Sequence, residues 1–161
     1  MEDIKLKTYL KKYINTKKTI LGVGPMSFNC INASNNISLK YKVPIFLICS
    51  RRQIDSEFHG GGYVNNWTTE KLKTYLKKKK NKYLILSRDH GGPWQNNLEI
   101  KKNYNIKDAM KSAKKSFEAD ILNDFKVIHI DPSLNIDNKN NLKRVTENIF
   151  ELYEYCYEFA Q

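Results

Sequence analysis

The stretch Tyr83-Leu84-Ile85-Leu86-Ser87-Arg88-Asp89-His90-Gly91-Gly92-Pro93 passes from a continuous apolar run into charged side chains and then into a glycine-proline turn. A short apolar run that does not alternate with polar residues is typical of a buried parallel strand. We therefore expect Asp89 and His90 to leave the sheet into the turn and to face one cavity. A carboxylate beside an imidazole suits metal binding or proton transfer.

Three further apolar runs have the same character, and helix-like stretches separate all four. The runs cover residues 19–23, 44–49, 83–86 and 126–130. Helical spacing predicts helices near 28–40, 68–80, 106–123 and 139–160, after a leading helix near 3–14. Four successive β-α units predict an α/β fold, with parallel strands covered on both faces, in a single domain over residues 1–161.

Composition sets the outer bounds of the function. The 161 residues carry a net charge of +11 and are 40% hydrophobic. No apolar run approaches the roughly 18 residues that span a bilayer, so we expect no membrane association and a cytoplasmic location. Lys is abundant along the whole chain, which favours a solvated basic surface over nucleic-acid binding. Cys30, Cys49 and Cys156 are odd in number and have no paired spacing, which predicts free, mostly buried thiols.

Arginine is used more sparingly than lysine. Arg51, Arg52 and Arg88 all come within a few residues of the ends of apolar, strand-like runs. Because a guanidinium makes planar, bidentate contacts to phosphate or carboxylate, this placement indicates an anion-binding site. Ion pairs with acidic residues of the chain itself explain the placement equally well.

The three histidines have separate interpretations. His90, directly beside Asp89, is the best candidate for a metal ligand, and a structural hydrogen-bonded pair is the alternative. His129 and Asp131 are two residues apart at the end of the fourth run and share a face, although a core histidine is equally consistent. His59 precedes three glycines, and three interpretations stay open for this segment: a backbone that approaches a ligand closely, a mobile flap, or a flexible solvent loop.

Several motifs together resemble the N-terminal half of the family of class II tagatose-bisphosphate aldolase non-catalytic subunits. The residues that carry the resemblance are Gln53, Gly61-Gly62-Tyr63, Thr68, Asp89-His90, Gly92-Pro93 and the run from Ile128 to Ser133. The resemblance implies half of a TIM-type (β/α)8 barrel that acts on a ketose phosphate. In class II aldolases a zinc ion polarises the ketose carbonyl, so the resemblance implies His90 as a zinc ligand and Asp89 as the proton carrier.

Substrate binding is assigned to the remaining polar residues near the predicted strand ends. These are Arg51, Arg52, Gln53, Arg88, His129 and Asp131. Three functions stay open: an accessory subunit or partial enzyme of an aldolase, a zinc-dependent ketose epimerase, and a binding subunit that stabilises a partner without turnover. A full barrel needs about 250 residues, so the missing strands would come from a catalytic aldolase subunit or from a second copy of this chain.

Overall fold

Strands and helices alternate along the chain as the hydrophobic pattern predicts. The computed structural model describes residues 6–16, 18–134, 136 and 141–161. Its helices are α1 (Leu6–Asn15), α2 (Phe28–Tyr41), α3 (Thr69–Lys79), α4 (Asn97–Lys101), α5 (Ile106–Leu122) and α6 (Leu142–Phe159). Its strands are β1 (Leu21–Val23), β2 (Ile45–Ser50), β3 (Leu84–Gly91) and β4 (Val127–Ile130). The predicted starts of the first and last helices, at 3–5 and 139–140, lie outside the described residues.

The four strands form one parallel sheet in the order β1-β2-β3-β4, so each strand pairs with its successor along the chain. Parallel neighbours require a crossover connection, and here each crossover contains a helix. The strand order confirms the predicted succession of β-α units. It also brings the carboxyl ends of all four strands to the same edge of the sheet.

Helices α2, α3, α5 and α6 pack on one face of the sheet. Leu47 and Leu86 join one hydrophobic cluster with residues of α2 and α3, and Ile128 and Ile130 pack on a second cluster from α5 and α6. Both clusters of the described chain therefore lie on this side. The prediction that both faces of the sheet are covered holds for one face only.

The opposite side of the sheet is named the open face here. Its strand residues, identified from the register and the alternation of side chains, are Gly22, Phe46, Ile48, Ser50, Ile85, Ser87, Asp89, Val127 and His129. Phe46 and Ile48 are half-buried and Val127 is 37% exposed, whereas Ile85 and Ser87 at the centre are buried. The margins of this face are therefore partly exposed, whereas its centre is buried within the chain, where Leu6 of α1 and Ile85 line one cavity. Helices α2, α3, α5 and α6 do not cover it.

Two short elements were not predicted. One is a 3-10 turn at Glu57–His59, and the other is α4, which Asn96 caps by accepting a hydrogen bond from the Leu98 N–H. Elements of three and five residues are too short to show a hydrophobic period. The cap of α5 was also missed: the Asn105 side chain accepts from the Asp108 N–H.

Strand β3 continues to Gly91, whereas the apolar run predicted its end at Leu86. Its backbone still pairs with Ser50 of β2 at Asp89 and with Ile130 of β4 at Gly91, and the register shifts between Arg88 and Gly91. Backbone pairing does not require apolar side chains, which is why polarity misplaced the boundary. Asp89 and His90 thus lie on a bulged strand end, not in a free turn, and His90 has a φ of +45°.

Arg88 is buried between β3 and α5. Its Nε and Nη2 donate to the two carboxylate oxygens of Asp120 at 2.7 and 2.6 Å, and its Nη1 donates to the carbonyls of Cys49 and Ile54. Burial opposes the charged form, but the charge and hydrogen bonds of Asp120 outweigh it and raise the pKa of Arg88. The pair ties α5 to the sheet.

Breaking this pair from one side should destabilise the fold strongly. We expect Arg88→Met or Asp120→Leu alone to lower the free energy of unfolding by about 3–5 kcal/mol, because each leaves a buried charge without its partner. The Arg88→Met/Asp120→Leu double variant should be more stable than either single variant, since no unpaired charge remains. Urea denaturation followed by circular dichroism measures all three. A double variant as unstable as the two single losses added together would contradict the interpretation.

Candidate functional site

The carboxyl ends of β3 and β4 bring four polar side chains together. His90 Nδ1 lies 2.7 Å from Asp131 Oδ2, and His129 Nδ1 lies 3.1 Å from Asp89 Oδ1. The two imidazole ring centroids are 6.3 Å apart. These four residues were all predicted as site residues, and the structure places them in one polar cluster.

Two glycines permit this close approach. A Cβ on Gly92 would lie 2.1 Å from the Asp131 carbonyl oxygen, and one on Gly91 would lie 2.6 Å from the His129 carbonyl oxygen. Because real Cβ atoms do not approach that closely, larger residues would push the end of β3 away from β4. The Gly91-Gly92 pair therefore lets the two strand ends meet.

The hydrogen bonds determine which imidazole nitrogen is available. An ionised carboxylate only accepts, so the Nδ1 atoms of His90 and His129 carry the protons that they share with Asp131 and Asp89. In the neutral rings, each Nε2 is then free to accept a proton. His90 Nε2 lies 3.6 Å from Asp89 Oδ2, which is longer than a hydrogen bond. The cluster consists of two carboxylate-imidazole pairs suited to proton transfer.

Asp131 has additional partners that the sequence analysis did not assign to the site. Gln95 Nε2 donates to its Oδ2 at 3.2 Å, and the Ser133 backbone N–H and hydroxyl donate to its Oδ1. Partial burial alone would raise the pKa of Asp131, but the hydrogen bonds from Ser133 and then His90 outweigh it and lower that pKa. The Asp-Pro-Ser sequence at the end of the fourth run could have predicted Ser133 as a site residue. No sequence motif marks Gln95.

Two open clefts adjoin the cluster and share Ser50, Arg52 and His90. One, of about 430 Å³, extends towards Gln53 and Tyr63, and the other, of about 350 Å³, extends towards Asp131 and Ser133. Arg52 is exposed. Gln53 is mostly buried and its Oε1 accepts from the Ser50 N–H at 2.9 Å, so it shapes the wall of the cleft. A guanidinium thus stands beside the imidazole of His90 in both clefts.

Arg51 does not reach these clefts. It is fully buried, with Nε at 3.0 Å from Asp55 Oδ2 and Nη2 at 2.7 Å from Glu99 Oε1, while Nη1 donates to the Gly92 carbonyl at 2.6 Å. Arg88 is likewise enclosed by Asp120. For these two arginines the structure shows ion pairs with acids of the chain, the alternative that the sequence left open, and not the predicted contact with substrate.

The loop Gly60-Gly61-Gly62 after His59 is packed in part: Gly61 and Gly62 are half-buried against neighbouring backbone, and Gly60 is exposed. His59 is 8% exposed, and its ring nitrogens lie 2.6 Å from Ser56 Oγ and 2.7 Å from Ser112 Oγ. A Cβ on Gly62 would lie 2.2 Å from the Gln53 carbonyl oxygen. Gly61 and Gly62 permit contact between backbone segments, whereas a Cβ on Gly60 would meet nothing within 4 Å. The loop supports the wall behind Gln53.

The cysteines are free, as predicted. Cys49 is buried, and Cys30 and Cys156 are half-buried. Burial raises the pKa of Cys49 to about 12 and that of Cys156 to about 11. Neither of these two thiols is placed or activated for nucleophilic chemistry.

The predicted zinc site can be tested against the side chains present. Catalytic zinc takes three protein ligands, and the free Nε2 atoms of His90 and His129 are two. Within the described ranges, no three His, Cys, Asp or Glu side chains lie close enough together to hold a metal ion. The described residues alone therefore do not fit a zinc site, although each imidazole has the carboxylate partner that metal-binding histidines commonly have.

Comparison with known proteins gives a likeness of fold. No family model matches the chain, and no curated protein matches its sequence. A solved structure similar to it is that of a probable tagatose 6 phosphate kinase from Sinorhizobium meliloti 1021, with a TM-score of 0.72 and 16% sequence identity. The likeness covers 88% of this chain and 37% of that chain, so this chain spans well under half of its neighbour. At this identity the likeness shows the fold alone.

The helices were also compared with the requirements of a membrane span. Of those in the described part of the chain, none combines the length and the apolar character needed to cross a bilayer.

The hydrogen bonds to Asp131 predict its titration. We expect Ser133→Ala and His90→Ala each to raise the pKa of Asp131 towards its ordinary value, because each variant removes a hydrogen bond that stabilises the carboxylate. Carbon-detected NMR of the carboxylate over a pH series measures both shifts. An ordinary pKa for Asp131 in the unmodified protein would show that the cluster does not form in solution.

The Arg51 cluster predicts acid sensitivity. Burial alone would raise the pKa of Asp55, but the charge of Arg51 and the hydrogen bond from His59 hold it well below the ordinary value. A depressed folded-state pKa stabilises the fold above the unfolded value and loses that contribution as the pH falls below about 4. Asp55→Asn should therefore lower stability at pH 7 by about 3 kcal/mol and flatten the acid limb.

Urea unfolding between pH 7 and pH 2.5 tests this expectation. The matched control is Glu154→Gln, which neutralises an exposed carboxylate on α6 and should leave the acid limb unchanged. Equal slopes for the Asp55→Asn variant and the unmodified protein would contradict the assignment.

Proposed function

We propose that this chain works in sugar-phosphate metabolism, as a half-barrel protein of the type of the class II tagatose-bisphosphate aldolase accessory subunits, and that it binds a ketose phosphate beside Arg52. The observation that carries the proposal is the exposed Arg52 guanidinium next to the carboxylate-imidazole cluster of His90 and Asp131. The strand order β1-β2-β3-β4 supports half of a (β/α)8 barrel, in which ligands bind at the carboxyl ends of the strands. The fold neighbour, named for a tagatose phosphate, agrees with this class of ligand.

Charge and geometry assign a role to each side of the cleft. The planar guanidinium of Arg52 can donate two N–H groups to two oxygens of one phosphate, and no carboxylate of the described cleft lies at ion-pair distance from it. With its phosphate held there, a sugar would extend towards His90 and Asp89. Asp131 keeps the proton on His90 Nδ1, so Nε2 is the atom that accepts a proton from a sugar hydroxyl. Asp89 is the second group able to take that proton, in the role that the family resemblance implies.

Binding is better supported than independent catalysis. Aldol cleavage develops negative charge on the ketose carbonyl oxygen, which a Lewis acid or a cationic donor must stabilise. The cleft offers Arg52, already assigned to phosphate, and two imidazole nitrogens, which are fewer than the ligands zinc takes. A zinc ion at His90 would need ligands from a further polypeptide segment. We therefore assign the chain an accessory or partial role that completes a site together with other strands.

A ketose epimerase is the second candidate. The observation that favours it is the presence of two separate proton carriers, His90 and His129, with ring centroids 6.3 Å apart. Epimerisation removes a proton from one face of a carbon and returns one to the other face, which two such groups can do. An assay in deuterated solvent separates this candidate from simple binding, because epimerisation would introduce deuterium at the epimerised carbon and binding would not.

The test of ligand binding is calorimetric titration with tagatose 1,6-bisphosphate, unphosphorylated tagatose and inorganic phosphate. We expect the bisphosphate to bind more tightly than either of the others, because both Arg52 and the proton carriers are engaged. Arg52→Gln should weaken binding about ten- to a hundredfold, the loss of a charge-assisted hydrogen-bond pair worth roughly 1.5–3 kcal/mol.

The matched control is Lys78→Gln, which removes one exposed positive charge from the last turn of α3, away from the cleft. It should leave the dissociation constant unchanged. Equal weakening in both variants would mean that the phosphate responds only to the overall positive charge, and it would refute the assigned site.

A further inference from the structure

Both edge strands of the sheet are unpaired on their outer side within the described chain. Strands β1 and β4 are similar in length, with three and four residues. Leu21 of β1 is 56% exposed and Val127 of β4 is 37% exposed. An unpaired edge presents a row of free N–H and C=O groups, which is a template for pairing with another strand.

Exposed apolar side chains are concentrated on the helices that flank these two edges. On α2 they are Phe28, Ile37, Leu39 and Tyr41, and on α6 they are Leu142, Ile149, Phe150, Tyr153, Tyr157 and Phe159. The central helices differ: among large apolar residues in the described chain, α5 exposes only Leu122 and α3 exposes none. Apolar surface therefore accumulates at the two lateral ends of the sheet, where a further β-α layer would continue the fold.

The composition of the open face also allows a partner to cover it. It carries no Lys or Arg among its nine strand positions, although the chain has a net charge of +11. The hydroxyl of Ser87 on this face is buried without a hydrogen-bond partner. Its one carboxylate, Asp89, lies at the carboxyl end of the strands beside His129. A surface without Lys or Arg can face a copy of itself without the like-charge repulsion that the basic helices would impose.

We propose that a second copy of this chain covers the open face, so that two four-stranded sheets close into one eight-stranded barrel. The proposal rests on the half-barrel assignment made above and names its partner. A two-fold axis along the barrel sets β4 of one copy beside β1 of the other and keeps the strands parallel. The same rotation is applied to both edges, so both are paired at once.

The dimer accounts for the three surfaces together. Eight strands enclose an interior that side chains just fill, and each copy supplies half of that interior through its open face. The second copy's α2 lies against α6, where the exposed apolar residues are. The clefts beside Arg52 then stand at the mouth of a closed barrel, with the strand ends of the partner completing their outer wall.

Light scattering of the purified full chain tests the proposal. We expect a mass of twice 18.9 kDa. Val127→Lys on the open face and Phe150→Glu on α6 should each shift the protein to monomer, with circular dichroism showing that the helices remain. The matched control is Leu122→Glu, which places a charge on a 75% exposed residue of α5, away from both edges, and should stay dimeric.

Hydrogen exchange identifies the mode of association. In a closed barrel the outer amides of β1 and β4 are protected, and in the Phe150→Glu variant they should exchange at least tenfold faster. A monomeric unmodified protein would overturn the proposal. So would a dimer whose β1 and β4 amides stay unprotected, because it would associate through helices alone.

The outcomes for assembly and ligand are separable. A dimer with protected edges that fails to bind tagatose 1,6-bisphosphate keeps the assembly and removes the sugar-phosphate function. A monomer that binds the bisphosphate through Arg52 keeps the sugar-phosphate function and removes the assembly.

Discussion

The buried ion pair between Arg88 and Asp120 is the constraint on which the arrangement of this sheet depends. A guanidinium in the core is tolerated only when carboxylate and carbonyl acceptors surround it, and here they come from α5 and from the chain after β2. This requirement fixes α5 over β3. Arg51 adds a second tie, because it joins Asp55 and Glu99 to the carbonyl of Gly92 directly after the bulge.

The candidate site follows from these two ties. With the end of β3 held from behind, its bulge turns His90 towards β4, and the glycines that follow allow contact with Asp131. The result is two carboxylate-imidazole pairs whose Nε2 atoms are free. Arg52, the neighbour of a fully buried arginine, is the one that projects into the clefts. The structural Arg51 and Arg52, the arginine proposed to bind phosphate, are thus adjacent in the chain and differ in burial.

The sheet is unusual because helices pack on only one of its faces. Helices pack on one side with two hydrophobic clusters, whereas the other side and both edges offer apolar surface and unpaired backbone groups. Parallel sheets are ordinarily covered on both faces. The proposed role, in which other strands complete a barrel, would resolve this imbalance.

The sequence by itself determined the alternation of four strands and the helices between them, because continuous apolar runs and helical periods are local patterns. It also placed Asp89, His90, His129 and Asp131 together, since the ends of parallel strands meet at one edge. Only the tertiary structure decided between Arg51, Arg52 and Arg88. The acids that neutralise Arg51 and Arg88 include Glu99 and Asp120, which lie far along the chain, and no local pattern reveals which charges the packing of α4 and α5 brings into contact.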